Sequence, residues 1–199
     1  MIIGLCGMQS SGKDTVANIL INKYGFIKIS FAGILKDVVS IMFDWERDLL
    51  EGLTKESRVW RETKDEWWSE KLHKDVTPRK MLQEIGTDIF RNNFNSNIWV
   101  YCVENRLRKY SNGNNIVITD CRFINEINMI KNLGGNIIQV NRNLPEWFND
   151  FKSGKLEKIE GIHSSEIEWI KNTPDFEIDN DKTINDLYEK VYILIELLD

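Results

Sequence analysis

The run from Gly7 to Lys13 restricts the fold of this 199-residue chain more than any other stretch. Residues 2–6 are apolar enough for a short buried strand, and residues 13–24 carry apolar side chains at helical spacing. Between them lies Gly-Met-Gln-Ser-Ser-Gly-Lys, a loop of small residues with G-x-x-x-x-G-K spacing. A strand, this loop and a helix in that order predict a phosphate-binding loop in an α/β protein.

The loop has the composition that binding a polyphosphate requires. Its two glycines allow the backbone to turn tightly and aim N–H groups inward, and the following helix N-terminus adds partial positive charge. We expect Lys13 to reach the β- and γ-phosphates of a nucleotide. The predicted ATP-binding residues are Gly7, Ser10, Ser11, Gly12, Lys13, Asp14 and Thr15.

Asp14 stands where such loops usually carry a Ser or Thr whose hydroxyl binds Mg²⁺. One interpretation is that Asp14 only caps the helix, which would leave the loop without its metal ligand. The other is that its carboxylate holds Mg²⁺ directly or through water, because Mg²⁺ prefers oxygen ligands. The flanking strand and helix favour a genuine nucleotide site, and hence Asp14 as a ligand.

A second carboxylate follows another apolar strand. Residues 116–119 are Ile-Val-Ile-Thr, and Asp120 comes next. In a parallel sheet this places Asp120 at the carboxyl edge, beside the phosphates, where it can hold Mg²⁺ or its waters. Buried strands that end in Asp are common, so Asp120 indicates a metal site only in combination with the phosphate-binding loop. The predicted cofactor is Mg²⁺, with ATP as phosphate donor and Asp14 and Asp120 as ligands.

Composition narrows the classes of partner. A net charge of −5 gives no bulk attraction to polymeric nucleic acid or to an anionic membrane. No apolar run reaches the length of a membrane span, and no basic segment precedes the first strand, so we expect no membrane segment, no signal peptide and a cytoplasmic location. Cys6, Cys102 and Cys121 lie far apart in apolar runs, which predicts reduced core thiols.

The order of the elements predicts one α/β domain over residues 1–199, with a doubly wound parallel sheet of about five strands. Residues 44–95 are interpreted as a helical substrate-binding insertion, and its Trp-rich part contains side chains that could stack on a nucleobase. Trp at such spacing is more often part of a core or an interface. Residues 142–165 are loop-like and are interpreted as a lid.

Further motifs follow the loop in a fixed order. The stretch Gly7–Ala17, with Ser-Gly-Lys-Asp-Thr at its centre, resembles the loop of phage- and virus-type deoxynucleoside monophosphate kinases, which also carry Asp after the lysine. The other segments that resemble motifs of this family are Ser30-Phe31-Ala32 with Leu35-Lys36, Thr77-Pro78-Arg79 with Leu82-Gln83 and Gly86-Thr87, Asp120-Cys121-Arg122-Phe123 with Asn125-Glu126 and Gly134-Gly135, and His163-Ser164-Ser165-Glu166. Residues 45–73 match no motif.

The resemblance implies transfer of the γ-phosphate of ATP to a deoxynucleoside monophosphate for DNA precursor synthesis. It also implies a homodimer, in the host cytoplasm if the chain is viral. Such transfer needs Mg²⁺, positive charge around the phosphates and exclusion of water. The candidate catalytic residues are Lys13, Asp14, Arg122 and Arg142. The candidate acceptor-binding residues are Arg79, Gln83, Thr87, Arg91 and Arg122.

Each arginine also has a plainer interpretation. Arg122 fits a phosphate through its bidentate guanidinium, or it pairs with Glu126 four residues on. Arg79, in the first turn of a helix, binds the acceptor phosphate or is a solvated surface residue. Arg91, on the same helix, fits either of these two roles equally well. Arg142 either closes over ATP as a lid arginine or is a surface residue.

Four other residues are weighed in the same way. Gln83 and Thr87, four apart on one helix, could recognise a base edge or form a buried polar pair. Lys36 is interpreted as part of a solvated helix face. His163 is interpreted as a residue that starts a helix rather than as a general base, because the acceptor phosphate is already ionised.

Two alternatives to the nucleotide kinase remain open. Animal-type phosphomevalonate kinases also carry Ser-Gly-Lys-Asp in their loop, so a kinase of a small non-nucleotide phosphate is one. A P-loop binding or switch protein without phosphoryl transfer is the other.

Overall fold

The computed structural model describes residues 1–110, 113–157 and 159–198. The chain forms two compact units, of which the first contains residues 1–30 and 104–199 and the second residues 31–103. The strands are β1 Ile2–Cys6, β2 Ile27–Ile29, β3 Ile116–Ile118, β4 Asn136–Asn141 and β5 Phe176–Asp179. The helices are α1 Lys13–Tyr24, α2 Phe31–Phe43, α3 Arg47–Glu51, α4 Lys55–Glu62, α5 Glu66–Leu72, α6 Pro78–Gln83, α7 Ile98–Tyr110, α8 Ile124–Asn132, α9 Phe148–Lys152, α10 Ser164–Ile167 and α11 Ile184–Leu198.

The first unit is built on a five-stranded sheet in the order β2-β3-β1-β4-β5, with every neighbouring pair parallel. This confirms the predicted doubly wound α/β class. β1 is central, with Ile3 opposite Val117 of β3 and Gly4 opposite Ile137 of β4. From β1 the chain continues to β2 at one edge of the sheet, and from β4 it continues to β5 at the other edge. The crevice between the carboxyl ends of β1 and β4 is therefore a topological switch point, where ligands bind in such folds.

Alternate residues of each strand point to opposite faces of the sheet, and both faces of a parallel sheet are apolar. Helices therefore cover the sheet on both faces. On one side, Ile3 and Leu5 of β1 belong to a buried cluster with α1 and α11. On the other, a Cβ on Gly4 would come within 2.7 Å of Ile130 of α8. The central strand is therefore packed on both faces, which holds the loop at its end in place.

The second unit contains the Trp-rich stretch, whose aromatic rings pack together. Trp45 stacks on Phe43 with ring centroids 4.4 Å apart, and its indole N–H donates to Asp65 at 2.9 Å. Trp60 and Trp68 pack against the same buried cluster. Three of the four tryptophans that could have stacked on a nucleobase are thus part of a hydrophobic core, as tryptophans at this spacing usually are.

A π-helix over Glu84–Phe94 follows α6, where the sequence predicts one continuous α-helix. Each N–H in a π-helix reaches one residue further back, so i, i+3 and i+4 no longer mark one face. In a regular α-helix Ile89 would share an apolar face with Met81, Leu82 and Ile85, but it is 46% exposed here. Two contacts anchor the π-helix: the Trp99 indole donates to the Gly86 carbonyl at 2.9 Å, and a Cβ on Gly86 would lie 2.5 Å from Leu35.

Residues 142–165 include the short helix α9 and the first residues of α10, which starts at Ser164, where the sequence predicts loop. Phe148 and Phe151 of α9 are buried and hold it in the first unit. Lys158 of this stretch lies outside the described residues. Among the residues that the structure does describe, no helix is both long and apolar enough to cross a membrane.

The cysteines give the first testable prediction. All three are free thiols; Cys6 and Cys121 are buried, whereas Cys102 is half-buried rather than in the core. Burial raises the pKa of the Cys6 thiol to about 12 and that of Cys121 well above its ordinary value, so neither forms the reactive thiolate near neutral pH. We expect a thiol reagent at pH 8 to modify Cys102 alone in the native protein, and all three in denaturant. Rapid reaction of Cys6 or Cys121 in the native state would contradict this.

Candidate active site

The loop between β1 and α1 adopts a backbone that small residues accommodate best. Gly7 has φ 146°, Ser10 has φ 62° and Gly12 has φ 102°, all of them positive. A Cβ on Gly7 would lie 2.4 Å from the carbonyl oxygen of Val140 in β4, far inside van der Waals contact. The loop therefore lies against the end of the neighbouring strand, at the switch point of the sheet.

Helix α1 begins where this loop ends. Its N-cap residue is Gly12, which has no side chain that could satisfy the first N–H groups of the helix. The Ser11 hydroxyl is buried and makes no hydrogen bond within the described part of the chain. Unsatisfied donors at a helix N-terminus are the ordinary elements of an anion site, so these residues fit a bound phosphate.

Lys13 is folded back over the loop. Its Nζ donates to the carbonyl oxygens of Gly7 at 2.9 Å and Met8 at 2.8 Å. Burial lowers the pKa of the Lys13 amine, and the positive charge of Arg122 lowers it further. An anion placed beside the two cations would relieve this repulsion, so the electrostatics of the site favour binding of a polyphosphate.

The two predicted metal ligands have different surroundings. Asp120 accepts a hydrogen bond from the Ser30 hydroxyl at 2.8 Å, which orients its carboxylate at the end of β3. The Asp14 side chain is 73% exposed and lies 4.0 Å from Lys28 Nζ. Both carboxylates are close enough to Lys13 to raise its pKa electrostatically, against the larger effects of burial and Arg122.

This set of oxygen donors suits Mg²⁺ that arrives with a nucleotide. Within the described ranges, no group of three or more His, Cys, Asp or Glu side chains could hold a metal ion. Mg²⁺ commonly takes one or two carboxylates and completes its shell with substrate phosphates and water. Asp14 and Asp120 supply that number of carboxylates.

Arg122 follows the strand-end Asp120 and presents an exposed side chain. The carboxylate of Glu126, predicted as its alternative partner, is 1% exposed and accepts the backbone N–H groups of Arg122 at 2.7 Å and Phe123 at 3.1 Å. Glu126 thus secures the start of α8. The Arg122 guanidinium lies close enough to Lys13 to lower the pKa of its amine, so two cations share this edge of the sheet.

A pocket of about 450 Å³ opens at the switch point. One wall is the phosphate-binding loop and the other is the segment that follows β4, which includes the exposed Arg142. The lining residues are Met8, Gln9, Ser10, Arg142, Asn143, Pro145 and Trp147. Arg142 therefore lines a cavity beside the phosphate-binding loop.

Four of the five acceptor candidates, all except Arg122, lie in the second unit. Thr77 caps α6 through its side chain, and Pro78 occupies the first turn, where its missing N–H has no helical partner to lose. Arg79 pairs with Glu62 at 3.3 Å. The Arg91 guanidinium donates to the Ser96 carbonyl at 3.3 Å. The half-buried Gln83 and Thr87 lie at the end of α6 and in the π-helix.

Lys36 differs from its prediction. Its side chain is only 13% exposed, and its Nζ lies 2.6 Å from Glu51 Oε2, so it does not belong to a solvated face. Arg47 binds the same carboxylate at 2.6 Å and also Asp37 at 2.6 Å. Arg47 and Glu51 are four residues apart within α3, but Lys36 and Asp37 reach them only because α2 packs against α3, a contact that helical spacing alone does not reveal.

His163 directly precedes α10, and its carbonyl oxygen accepts the Glu166 N–H at 2.9 Å. This is the backbone bond of a residue at the start of a helix, in agreement with the interpretation of His163 as a helix-starting residue.

Two residues at the site escaped the sequence interpretation as functional residues. Ser30 orients Asp120, and Asn180 donates a hydrogen bond to the Ser11 carbonyl of the loop. Both directly follow a strand, and Asp120 lies two residues after the end of β3. The rule that polar residues after parallel strands meet at one edge could have found them.

The sheet order, the loop and Lys13 define a P-loop protein with the fold of small-molecule kinases. Solved structures with this fold include shikimate kinase from Aquifex aeolicus (14% identity, 98% of this chain and 96% of that chain, TM-score 0.51) and dephospho-CoA kinase from Campylobacter jejuni (16%, 99% and 96%, 0.50). TT1252 from Thermus thermophilus is 16% identical, with 100% of this chain and 98% of that chain covered and a TM-score of 0.51. At these identities the likeness establishes the fold alone.

Sequence comparison identifies the family. Residues 55–191 match the model of the family described as "Deoxynucleotide monophosphate kinase". A protein of Acanthamoeba polyphaga mimivirus, named "Putative deoxynucleotide monophosphate kinase", is 33% identical over 208 residues, covering 98% of this chain and 96% of that protein. The chain belongs to the deoxynucleotide monophosphate kinase family, as its motifs predict.

Proposed function

We propose that the protein transfers the γ-phosphate of ATP to a deoxynucleoside monophosphate, giving a deoxynucleoside diphosphate and ADP. The observation that carries this is the Lys13 amine, held over the phosphate-binding loop beside Arg122 in a chain of this kinase family. Family membership favours a nucleotide acceptor over a small non-nucleotide phosphate. The reaction requires little covalent chemistry from the protein, so positioning and charge carry catalysis.

The donor phosphates are assigned to the loop Gly7–Thr15, with Lys13 following the γ-phosphate and Arg142 closing from the lid. Asp14 and Asp120 would hold Mg²⁺ directly or through water, with Ser30 orienting Asp120. When bound, the ion neutralises phosphate charge during transfer. The buried Ser11 hydroxyl supplies a further donor.

The acceptor is assigned to Arg79, Arg91 and Arg122 for its phosphate, and to Gln83 and Thr87 for its base. Arg79 exchanges its exposed partner Glu62 for the phosphate, because a surface ion pair of this kind contributes little to stability. The helical unit 31–103 would be the acceptor-binding part of the kinase, and it contains residues 44–95. Residues 142–165 would form the lid.

The metal role of Asp120 predicts a specific defect. Asp120→Asn keeps the size of the side chain but removes its charge, so it should weaken Mg²⁺ binding more than ATP binding. We expect the Mg²⁺ concentration for half-maximal activity to rise about tenfold or more. Kinase assays with titrated Mg²⁺ at saturating ATP, beside direct ATP binding, measure the two effects.

Asp14→Asn should shift the Mg²⁺ curve in the same direction if Asp14 shares the ion. Asp48→Asn, an identical change at an exposed position of α3, is the matched control and should leave the curve in place. Unchanged Mg²⁺ curves in both Asp14 and Asp120 variants would reject the carboxylate role.

A coupled ADP-release assay tests the function itself. The acceptors are the four dNMPs, the corresponding NMPs and phosphomevalonate, each with ATP and Mg²⁺. ADP release that depends on a dNMP supports the proposal. Release with phosphomevalonate alone would assign the protein to the other kinase class, and ATP binding without acceptor-dependent release would make it a binding protein.

The resemblance also leads us to propose a homodimer that acts in the cytoplasm. Sedimentation equilibrium should give twice the 23.4 kDa chain mass at assay concentrations. A single-chain mass at those concentrations would contradict the homodimer.

A further inference from the structure

Asn180 connects the end of β5 to the phosphate-binding loop. The side chain of Asn180, which is 9% exposed, donates from Nδ2 to the Ser11 carbonyl oxygen at 2.9 Å. A Cβ on Gly12 would lie 2.2 Å from the same nitrogen. The second glycine of the loop motif is thus needed partly to make room for this amide.

Asn180 is itself held by the neighbouring strands. Its backbone N–H donates to the Asn141 carbonyl at 2.7 Å, and the Asn141 side chain donates to Glu177 at 3.0 Å and Asp179 at 3.2 Å. Gln139 donates to Asn141 Oδ1 at 2.7 Å. A polar network at the ends of β4 and β5, buried at Gln139 and Asn141, therefore holds the strand end from which the Asn180 side chain extends.

The hydrogen bond acts on one peptide unit of the loop. In a planar trans peptide the C=O of Ser11 and the N–H of Gly12 point in opposite directions. A donor that holds the Ser11 oxygen towards Asn180 therefore turns the Gly12 N–H the other way. Phosphate binding by such loops depends on the direction of these N–H groups.

We propose that Asn180 is a positioning residue that locks the Ser11–Gly12 peptide so that the Gly12 N–H faces the donor phosphates. The role rests on the proposed function, since those phosphates are the ones of ATP. It differs from the roles of Lys13 and Asp14 because Asn180 acts through the backbone of the loop. It also explains why a residue 169 positions away in sequence is packed against the motif.

The test uses Asn180→Ala, which removes the donor, and Asn180→Asp, which keeps the volume but turns a carboxylate towards the Ser11 carbonyl. The exposed Asn128 of α8 provides matched controls, Asn128→Ala and Asn128→Asp. We expect the KM for ATP to rise about tenfold in Asn180→Ala, and by more in Asn180→Asp. The KM for dNMP should stay unchanged in both, and the controls should match the wild type.

Hydrogen exchange in the nucleotide-free protein gives a readout that does not depend on ATP. In both Asn180 variants the amides of Ser11 and Val16, which donate to the Met8 and Gly12 carbonyls at 3.2 Å and 3.0 Å, should exchange faster than in the wild type, while α8 and α11 keep their protection. Asn180→Asp carries the test if Asn180→Ala unfolds, because it preserves the packing against Gly12.

The two hypotheses fail in different ways. Failure of the wild type to bind ATP would overturn the proposed function. Hydrogen exchange in the loop would still show whether Asn180 holds the loop backbone. Unchanged exchange at Ser11 and Val16, together with an unchanged KM for ATP, would overturn the role of Asn180 alone. A uniform rise in exchange across the unit would show that Asn180 only supports the fold, and would also overturn it.

Discussion

Lys13→Ala is expected to lower kcat by on the order of 10²-fold or more without unfolding the protein. The Lys13 amine donates to two loop carbonyls, those of Gly7 and Met8, and is a positive charge at the start of α1. As the γ-phosphate moves to the acceptor, negative charge spreads over its oxygens, and a cation that follows it stabilises the transition state more than the bound substrate. Burial strengthens that interaction, because fewer waters compete for the charge.

The measurement is kcat at saturating ATP and dNMP, beside thermal unfolding of the same variant. Lys23→Ala is the matched control: Lys23 lies in the last turn of the same helix, where its amine stands 4.2 Å from the Tyr188 ring centroid. It should cost little stability and no turnover. Near-normal turnover in a folded Lys13→Ala protein would show that the loop has no role in phosphoryl transfer.

Truncating Arg79 or Arg122 should raise the KM for dNMP by about tenfold to a hundredfold, the loss expected for a charge-assisted hydrogen bond of roughly 1.5–3 kcal/mol. ATP binding should change little. Arg79→Lys should restore only part of the affinity, because an ammonium cannot form the bidentate contact of a guanidinium with a phosphate. Steady-state kinetics with dNMP varied at saturating ATP, beside direct ATP binding, separate the two substrates.

Arg58→Ala is the control for these variants. Arg58 belongs to the same helical unit as Arg79, but its exposed guanidinium donates to the Gly52 and Leu53 carbonyls. A flat KM for dNMP in both the Arg79 and Arg122 variants would reject their acceptor role. Loss of ATP affinity in Arg122→Ala alone would assign Arg122 to the donor phosphates, near the Lys13 amine whose pKa it lowers.

The elements of the sheet could be predicted because their signals are local. β1 and α1 flank the glycine loop at the predicted residues, and Thr77 with Pro78 starts α6 as their chemistry requires. Alternation of apolar residues, capping side chains and turn glycines act over a few positions. The phosphate-binding loop is the strongest of these signals because it combines three of them in a fixed order.

The π-helix and the charge pairs could not be predicted in that way. Ile89 leaves the apolar face because Leu35 and Trp99 hold Gly86 in a different helical geometry. Lys36 is buried against Glu51 because α2 packs on α3. Each outcome depends on a partner that helical periodicity does not identify.

The residues of the site also separate into those that a local sequence pattern reveals and those that only a tertiary contact reveals. Lys13 and the two glycines are recognisable from their spacing, since a strand, a tight loop and a helix N-terminus that bind phosphate need those residues in that order. The hydrogen bonds that orient the site join Ser30 to Asp120 and Asn180 to Ser11, across 90 and 169 residues of sequence. Such contacts arise only when parallel strands bring their carboxyl ends to one edge, so the folded sheet, and no local pattern, selects them.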